Sequence, residues 1–272
     1  IVVEPDIALV NQFRQKWDAA QIYGSRLVIH QGNPLEFSFP PYLANLIISE
    51  NLDFSKEELS QVIPKIFYAL RPYGGTACLK IADNLNGKWT KAISNSKLQN
   101  ASNKNNNGWA LLTREGPLVG AGTWNHQYGN SANTVISTDT IVKLPLGLLW
   151  FGGPSNKNNL PKHGHGPNPH VIGGRVITQG ANSLQAYDVY TGRLFWELEL
   201  PNIGKDFTNL EHQPGSSAIG SNYVSLTDFI YAVYEGKCLK IDANTGKKLE
   251  TFELPPLEGQ STPAKWGFIA NS

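Results

Sequence analysis

Apolar and polar positions in the first 115 residues follow a pattern that predicts alternating helices and strands. Apolar residues at helical spacing predict a helix from Asp6 to Ile22, and a second helix opens at Ser55, with Glu58 as its capping partner, and runs to about Leu70. A third helix is predicted near residues 85–98. The apolar runs between them predict strands at Ile1–Glu4, Arg26–His30, Tyr42–Ser49, Thr76–Ile81 and Trp109–Arg114. This alternation indicates βαβ units and a parallel sheet, closed at one edge by an antiparallel pair.

The second half of the chain contains a repeat with a period of 54 residues. Leu184–Pro201 reads LQAYDVYTGRLFWELELP, and Leu239–Pro255 reads LKIDANTGKKLETFELP. Asp188, Thr191 and Gly192 of the first segment recur as Asp242, Thr245 and Gly246 of the second. Apolar residues that lead into Asp-x-x-Thr-Gly predict strand, tight turn and strand, with the Asp capping the turn and the Gly supplying a positive φ. A repeat of this length made of short strands is typical of β-propeller blades.

The repeat predicts two blades of four strands each. The first blade uses Pro169–Gly173, Arg175–Gly180, Leu184–Asp188 and Arg193–Leu200. The second uses Ser217–Gly220, Tyr223–Leu226, Ile230–Tyr234 with Cys238–Asp242, and Lys247–Leu254. Trp196 is predicted to pack between neighbouring blades, whereas its counterpart in the second blade is Glu250.

Composition and charge narrow the range of partners. The net charge of +1 indicates neither nucleic acid nor a membrane surface as a partner, and no apolar run has the roughly 20 residues of a membrane span. No Ser/His/Asp order, phosphate-binding loop or zinc-finger pair is present in the sequence. Cys78 and Cys238 leave open two buried thiols or one disulfide. The apolar residues at both termini and the lack of methionine lead us to expect a piece of a longer chain.

Three motifs in residues 1–115 resemble a known enzyme family. Glu4 ends a strand, Gln31-Gly32-Asn33 follows the next strand, and Leu70-Arg71-Pro72-Tyr73-Gly74-Gly75 precedes a strand with a late hairpin. This order resembles class I S-adenosylmethionine-dependent methyltransferases. The resemblance implies that Glu4 binds the cofactor ribose and that Asn33, beside Gly32, lies near the adenine. The glycine-rich turn of that family would precede Ile1, so Glu4 as an ordinary strand-end acid stays an alternative. Ser49-Glu50-Asn51 is either a substrate-side site or a capping loop.

Residues 117–272 resemble a second family. The motif W-x-x-x-Y-G-x-x-x-N-T-x-x-S runs from Trp124 to Ser137, and Leu144–Trp150 is predicted as a strand that ends in Trp. This motif and the later blades are similar to pyrroloquinoline-quinone-type propellers. In quinone-binding members several blades together hold the quinone, a calcium ion and an Asp base. With only about two blades, pyrroloquinoline quinone and calcium are not expected in this chain.

A histidine-rich segment is the weak candidate for a metal site. His163, His165 and His170 lie within eight residues, and the first two have the spacing of one strand face. The alternatives are a Gly/Pro-rich loop whose imidazoles bond to the backbone, and a polar wall of a small-molecule pocket. Whether His126 and His212 lie at the same end of the propeller is left open by the sequence.

Together these patterns predict an α/β plus all-β protein. A partial Rossmann-like, methyltransferase-like sheet occupies residues 1–115, and a partial propeller of about two blades occupies residues 116–272. The first hypothesis is a propeller-based binding or scaffold module of a larger bacterial protein, with a non-catalytic methyltransferase-like insertion. Its expected partners are the remaining blades and an unidentified small molecule or protein. The alternatives are a methyltransferase with a propeller for substrate capture, with S-adenosylmethionine bound in the full-length parent, and a quinoprotein oxidoreductase. The propeller resemblance favours the periplasm or another extracytoplasmic compartment.

Overall fold

The computed structural model describes residues 1–50, 59–153, 155, 159–160, 166–207, 222–266 and 269–271. The chain forms two compact units. The first contains Ile1–Leu70 and Thr76–Thr113, and the second contains Arg71–Gly75 and Arg114–Ser272. Among the helices of the described part, none combines the length and hydropathy that a bilayer crossing requires.

Helices and strands alternate in the first unit, as the apolar pattern predicts. The strands are β1 (Val2–Glu4), β2 (Ile29–Gln31), β3 (Leu46–Ser49), β4 (Gly75–Lys80), β5 (Ala101–Asn106) and β6 (Trp109–Arg114). The helices are α1 (Ile7–Ala19), α2 (Leu59–Ala69) and α3 (Asn86–Asn95). The Asp6 carboxylate caps α1 by accepting a hydrogen bond from the Ala8 amide at 2.8 Å. The predicted capping pair Ser55 and Glu58 lies outside the described residues.

The strands of the first unit form two sheets where the sequence predicts one. β1 pairs in parallel with β2, and the other sheet has the order β3-β4-β6-β5, with β3 parallel to β4. Asn107 and Gly108, both at positive φ, join β5 to β6 in a two-residue turn. The core packs α2 and α3 against the larger sheet through Val62, Ile63, Phe67, Leu79, Trp89 and Leu112. In the described part, β1 has no ladder partner except β2, and β3 has none except β4.

The second unit contains two antiparallel sheets of four strands, each in sequential order. The first sheet is β7 (His170–Ile172), β8 (Arg175–Gln179), β9 (Ser183–Asp188) and β10 (Leu194–Glu199). The second is β11 (Tyr223–Ser225), β12 (Phe229–Tyr234), β13 (Lys237–Asp242) and β14 (Lys248–Phe252). Sheets of this kind are what a propeller blade requires. The two described sheets do not by themselves close a ring.

The Asp-x-x-Thr-Gly turns have the predicted structure. Asp188 accepts hydrogen bonds from the Tyr190 amide and the Thr191 hydroxyl, and Asp242 accepts them from the amide and hydroxyl of Thr245. Gly192 and Gly246 lie at φ of 68° and 72°. The hydrogen bonds from Thr245 hold the pKa of Asp242 below its usual value.

Two strand predictions in the second unit were wrong. Ile230–Tyr234 and Cys238–Asp242 are parts of two separate strands, because Glu235 and Gly236 form a tight turn at positive φ between them. Ser217–Gly220, the predicted first strand, lies outside the described residues. Leu144–Trp150 forms no strand, and Leu144 and Leu148 are 86% and 88% exposed.

In the second unit, each described blade accepts a hydrogen bond from a tryptophan indole that lies earlier in the chain. The Trp196 indole donates a hydrogen bond to the Ala243 carbonyl of the second blade at 3.0 Å, which confirms its predicted position between blades. Trp150 donates in the same way to the Val189 carbonyl of the first blade at 2.8 Å. Each ring also packs against the turn glycine, Gly246 or Gly192. The same contact is therefore made twice with the same repeat position.

Candidate functional site

The parallel pairing of β1 and β2 brings the predicted cofactor residues of the first unit to neighbouring strand ends. Glu4 is in register with Gln31, and the Gly32 amide donates to the Glu4 carbonyl oxygen at 3.1 Å. The Glu4 carboxylate accepts from the Asp6 amide at 2.9 Å, and the Asn33 side-chain oxygen accepts from the Leu35 amide at 3.0 Å. Both side chains thus accept hydrogen bonds from nearby backbone amides. Their binding of a nucleoside stays a prediction.

A largely apolar cavity of about 610 Å³ lies in the first unit. One part of its wall is β1 with Ile1, and another is the whole of β3. Phe37, Phe39 and residues of α2 complete the lining. Leu46 and Ile48 of β3 are 60% and 62% exposed. Strands β1 and β3, which belong to different sheets, therefore border the same apolar space.

Two histidines lie in a buried polar cluster of the second unit. The His170 ring is fully buried, stacks on Tyr223 at a centroid distance of 4.1 Å, and has Nδ1 3.1 Å from the Ser225 hydroxyl. His126 receives a hydrogen bond on Nε2 from the Asn271 amide. Burial, helped by the neighbouring His126, lowers the pKa of His170 to about 3. His170 is therefore neutral at physiological pH.

The metal candidates are not assembled into a site in the described part of the chain. His163 and His165 lie outside the described residues. Around His170, and elsewhere in the described ranges, no three His, Cys, Asp or Glu side chains are placed to share a metal ion. Both cysteines are free thiols, so the disulfide alternative was wrong.

Arg71 makes the buried ion pair of the second unit. Its Nε donates to the Asp188 carboxylate at 2.7 Å, and the Asp188 side chain is fully buried. Nη1 donates to the Pro72 carbonyl at 2.8 Å, and the guanidinium lies 5.4 Å from the ring centre of Phe195. Arg71 is thus neutralised and held by its hydrogen bonds.

Arg175 lies beside Arg71 but has different partners. Its Nη1 donates to the Asn244 side chain at 2.9 Å and its Nη2 donates to the Thr227 carbonyl. Its Nε is buried without a hydrogen-bond partner, and the residue is only 9% exposed. Burial lowers the pKa of this guanidinium, and the Arg71 charge adds to that effect, although the group stays protonated at neutral pH.

The two arginines line a cleft of about 300 Å³ that we call the arginine cleft. Its lining is Arg71, Tyr73, Gly173, Arg175, Phe195, Thr227, Asp228 and Asn244. Burial raises the pKa of the Tyr73 hydroxyl, although the charges of Arg175 and Arg71 oppose this rise. The cleft therefore combines two buried cations, an aromatic wall and the exposed carboxylate Asp228.

The Gly173–Gly174 turn leaves room for the side chains of Arg175, Tyr73 and Arg71 against its own backbone. These residues join β7 to β8 at φ of 58° and 74°. A Cβ at Gly173 would lie 2.9 Å from Nη2 of Arg175, and a Cβ at Gly174 would lie 2.7 Å from Cδ2 of Tyr73. The absence of side chains at this turn is therefore a condition for the arginine cleft.

Sequence analysis missed the arginine cleft. The signal that it overlooked is Gly173-Gly174-Arg175, a two-glycine hairpin followed at once by a cation. Arg71 gave no comparable signal, because it lies 117 residues before Asp188 along the chain.

Comparison with solved structures found partial likenesses to two proteins of different kinds. A protein from Methanococcus maripaludis, described provisionally as an S-adenosyl-L-methionine-dependent methyltransferase, is 11% identical with a TM-score of 0.36. The match covers 43% of this chain and 66% of that one. Quinohemoprotein alcohol dehydrogenase ADHIIG from Pseudomonas putida HK5 is 17% identical with a TM-score of 0.33, over 52% of this chain and 19% of the enzyme. No family model and no curated protein matches the chain.

Proposed function

We propose that the second unit is a binding or scaffold module, built from propeller-type blades that dock on one another in series. The observation that carries this proposal is the repeated tryptophan contact, in which Trp150 and Trp196 bond to equivalent carbonyls of successive blades. A repeat that buries its faces against neighbours provides a rigid surface without any catalytic group. On this proposal the first unit is a non-catalytic insertion in a larger bacterial protein.

The partners that this proposal requires are further blades. The side chains from Lys248 to Thr251 in β14 are exposed, and Leu249 and Leu257 are 48% and 58% exposed. The sequence predicts that Leu254, Leu257, Trp266 and Phe268 face solvent or pack only loosely; Leu254 and Trp266 are half-buried, and Phe268 lies outside the described residues. An apolar face of this kind favours association.

Light scattering tests the scaffold proposal. We expect the 272-residue chain to self-associate, and a longer chain that supplies the next blade to be monomeric. Leu249→Ser with Leu257→Ser should reduce the association, whereas Leu9→Ser, which changes an exposed leucine of α1, should not. A stable monomer with protected amides in β12 and β13 would contradict the proposal.

A second candidate function is the binding of a nucleoside-containing cofactor such as S-adenosylmethionine by the first unit. The observation that favours it is the adjacency of Glu4 and Gly32 at the carboxyl ends of two parallel strands, where such folds bind ligands. A carboxylate there accepts two ribose hydroxyls, and the Asn33 amide suits an adenine edge. Methyl transfer would then belong to the full-length parent. The quinoprotein alternative ranks third, because its cofactor site needs more blades than the two described here.

A further inference from the structure

We propose that the arginine cleft binds the carboxylate of a small organic acid. This proposal is independent of the scaffold role. Self-association of the chain tests the scaffold role, whereas ligand titration tests the carboxylate site. All the residues that line the cleft belong to the second unit.

The first support for this proposal is that the buried Arg175 has no described carboxylate at ion-pair distance. A buried guanidinium without an anionic partner is costly, and such groups are normally paired. Arg71 shows the satisfied arrangement, because its Nε donates to the Asp188 carboxylate at 2.7 Å. No carboxylate of the described residues lies within ion-pair distance of Arg175. A ligand carboxylate in the cleft would give Arg175 a negative charge at contact distance, which none of the described carboxylates provides.

The charges around the cleft favour a monoanion. Asp188 neutralises Arg71, so Arg175 is the cation that remains. Asp228, which is exposed in the lining, and Asp242 both offset part of that charge at longer range. A carboxylate brings one negative charge beside Arg175, whereas a doubly charged phosphate would meet stronger repulsion from Asp228 and Asp242.

The walls of the cleft favour an acid with a small apolar or aromatic body. Phe195 and Tyr73 provide ring surfaces beside the guanidinium groups, and Arg71 already lies over the Phe195 ring. The volume of about 300 Å³ is at the lower end of ligand pockets. Arginine presents a planar pair of donors that matches a carboxylate. Benzoate is therefore a suitable probe, and benzamide is its neutral counterpart of the same shape.

Titration of the full chain with benzoate and benzamide, followed by the arginine Nε–H signals in ¹⁵N-correlated spectra, tests the proposal. We expect benzoate to shift the Arg175 signal and to bind at least about tenfold more tightly than benzamide. Inorganic phosphate should bind more weakly than benzoate. Equal binding of benzamide, or tighter binding of phosphate, would overturn the assignment to a carboxylate.

Variants locate the binding site. Arg175→Gln should lose benzoate binding by at least about tenfold, whereas Arg26→Gln, which removes an exposed charge from the first unit, should bind as the unmodified chain does. Unchanged binding by folded Arg175→Gln would overturn the proposal. If Arg175→Gln does not fold, the test of the proposal is the Arg175 Nε–H signal of the unmodified chain in the benzoate titration. The absence of any shift with benzoate then overturns the proposal.

Discussion

Val189 and Ala243 occupy the same position in successive blades, and each carbonyl oxygen accepts a hydrogen bond from a tryptophan indole. The turn glycine three residues later receives the tryptophan ring in both cases. Trp196 belongs to β10, but Trp150 lies in a segment without strand structure. The two indoles therefore come from different kinds of segment, whereas the turns that accept their hydrogen bonds are equivalent.

Trp196→Phe should destabilise the second blade. The substitution keeps an aromatic ring but leaves the buried Ala243 carbonyl without its donor, at a cost of about 1–3 kcal/mol. Hydrogen exchange in β12 and β13 should become faster. Trp109→Phe, in the first unit, is the control and should leave these amides unchanged. Equal exchange in both variants would mean that the indole contact does not stabilise the blade.

Gly246→Ala should be more harmful than Gly259→Ala. Both glycines have positive φ, at 72° and 79°, so both alanines carry a backbone cost of about 1 kcal/mol. A Cβ at Gly246 would also lie 2.6 Å from Trp196, whereas Gly259 has open space around its Cβ position. The midpoint of urea unfolding should fall further for Gly246→Ala. Similar midpoints would show that Trp196 moves aside without cost.

Acid should destabilise the second unit through His170. The pKa of this ring is lowered from 6.5 to about 3, so the unfolded chain takes up a proton that the folded chain refuses. This residue should leave the free energy of unfolding unchanged above about pH 6.5 and lower it by about 1.4 kcal/mol per pH unit between 6.5 and 3. His170→Gln should flatten the pH dependence of urea unfolding, and the exposed His30→Gln should not. A slope unchanged by His170→Gln would contradict the assignment.

The 272-residue chain should bind S-adenosylmethionine weakly or not at all. The sequence contains no glycine-rich turn that would hold the methionine part of the cofactor, and Glu4 and Asn33 already bond to the backbone. Calorimetry should therefore show no binding in the low micromolar range. Low micromolar binding that Glu4→Gln abolishes and Glu36→Gln preserves would make the cofactor-binding function the leading one.

Local patterns predicted the strands and turns well because the signals were local. The Asp-x-x-Thr-Gly turns place the capping side chain and the glycine within five residues. The boundary between β12 and β13 was missed because Glu235–Gly236 is a short signal inside a long apolar run.

The candidate site was harder to predict, since its residues meet only through tertiary structure. Arg71 reaches Asp188, and Arg175 reaches Asn244, across 117 and 69 residues of chain. No spacing rule connects such residues. The division of β1 and β3 between two sheets could not be predicted either, because apolar runs predict strands but not which strands pair.

Glu250, on the exposed strand β14, stands where the repeat places Trp196, and its carboxylate lies 3.9 Å from the ammonium group of Lys240 on β13. On the scaffold proposal, a neighbour that docks on this side meets a charge in place of an indole. High salt would weaken such a junction while leaving the two indole junctions intact. Under mechanical load, a series of blades built in this way would open first after the second blade.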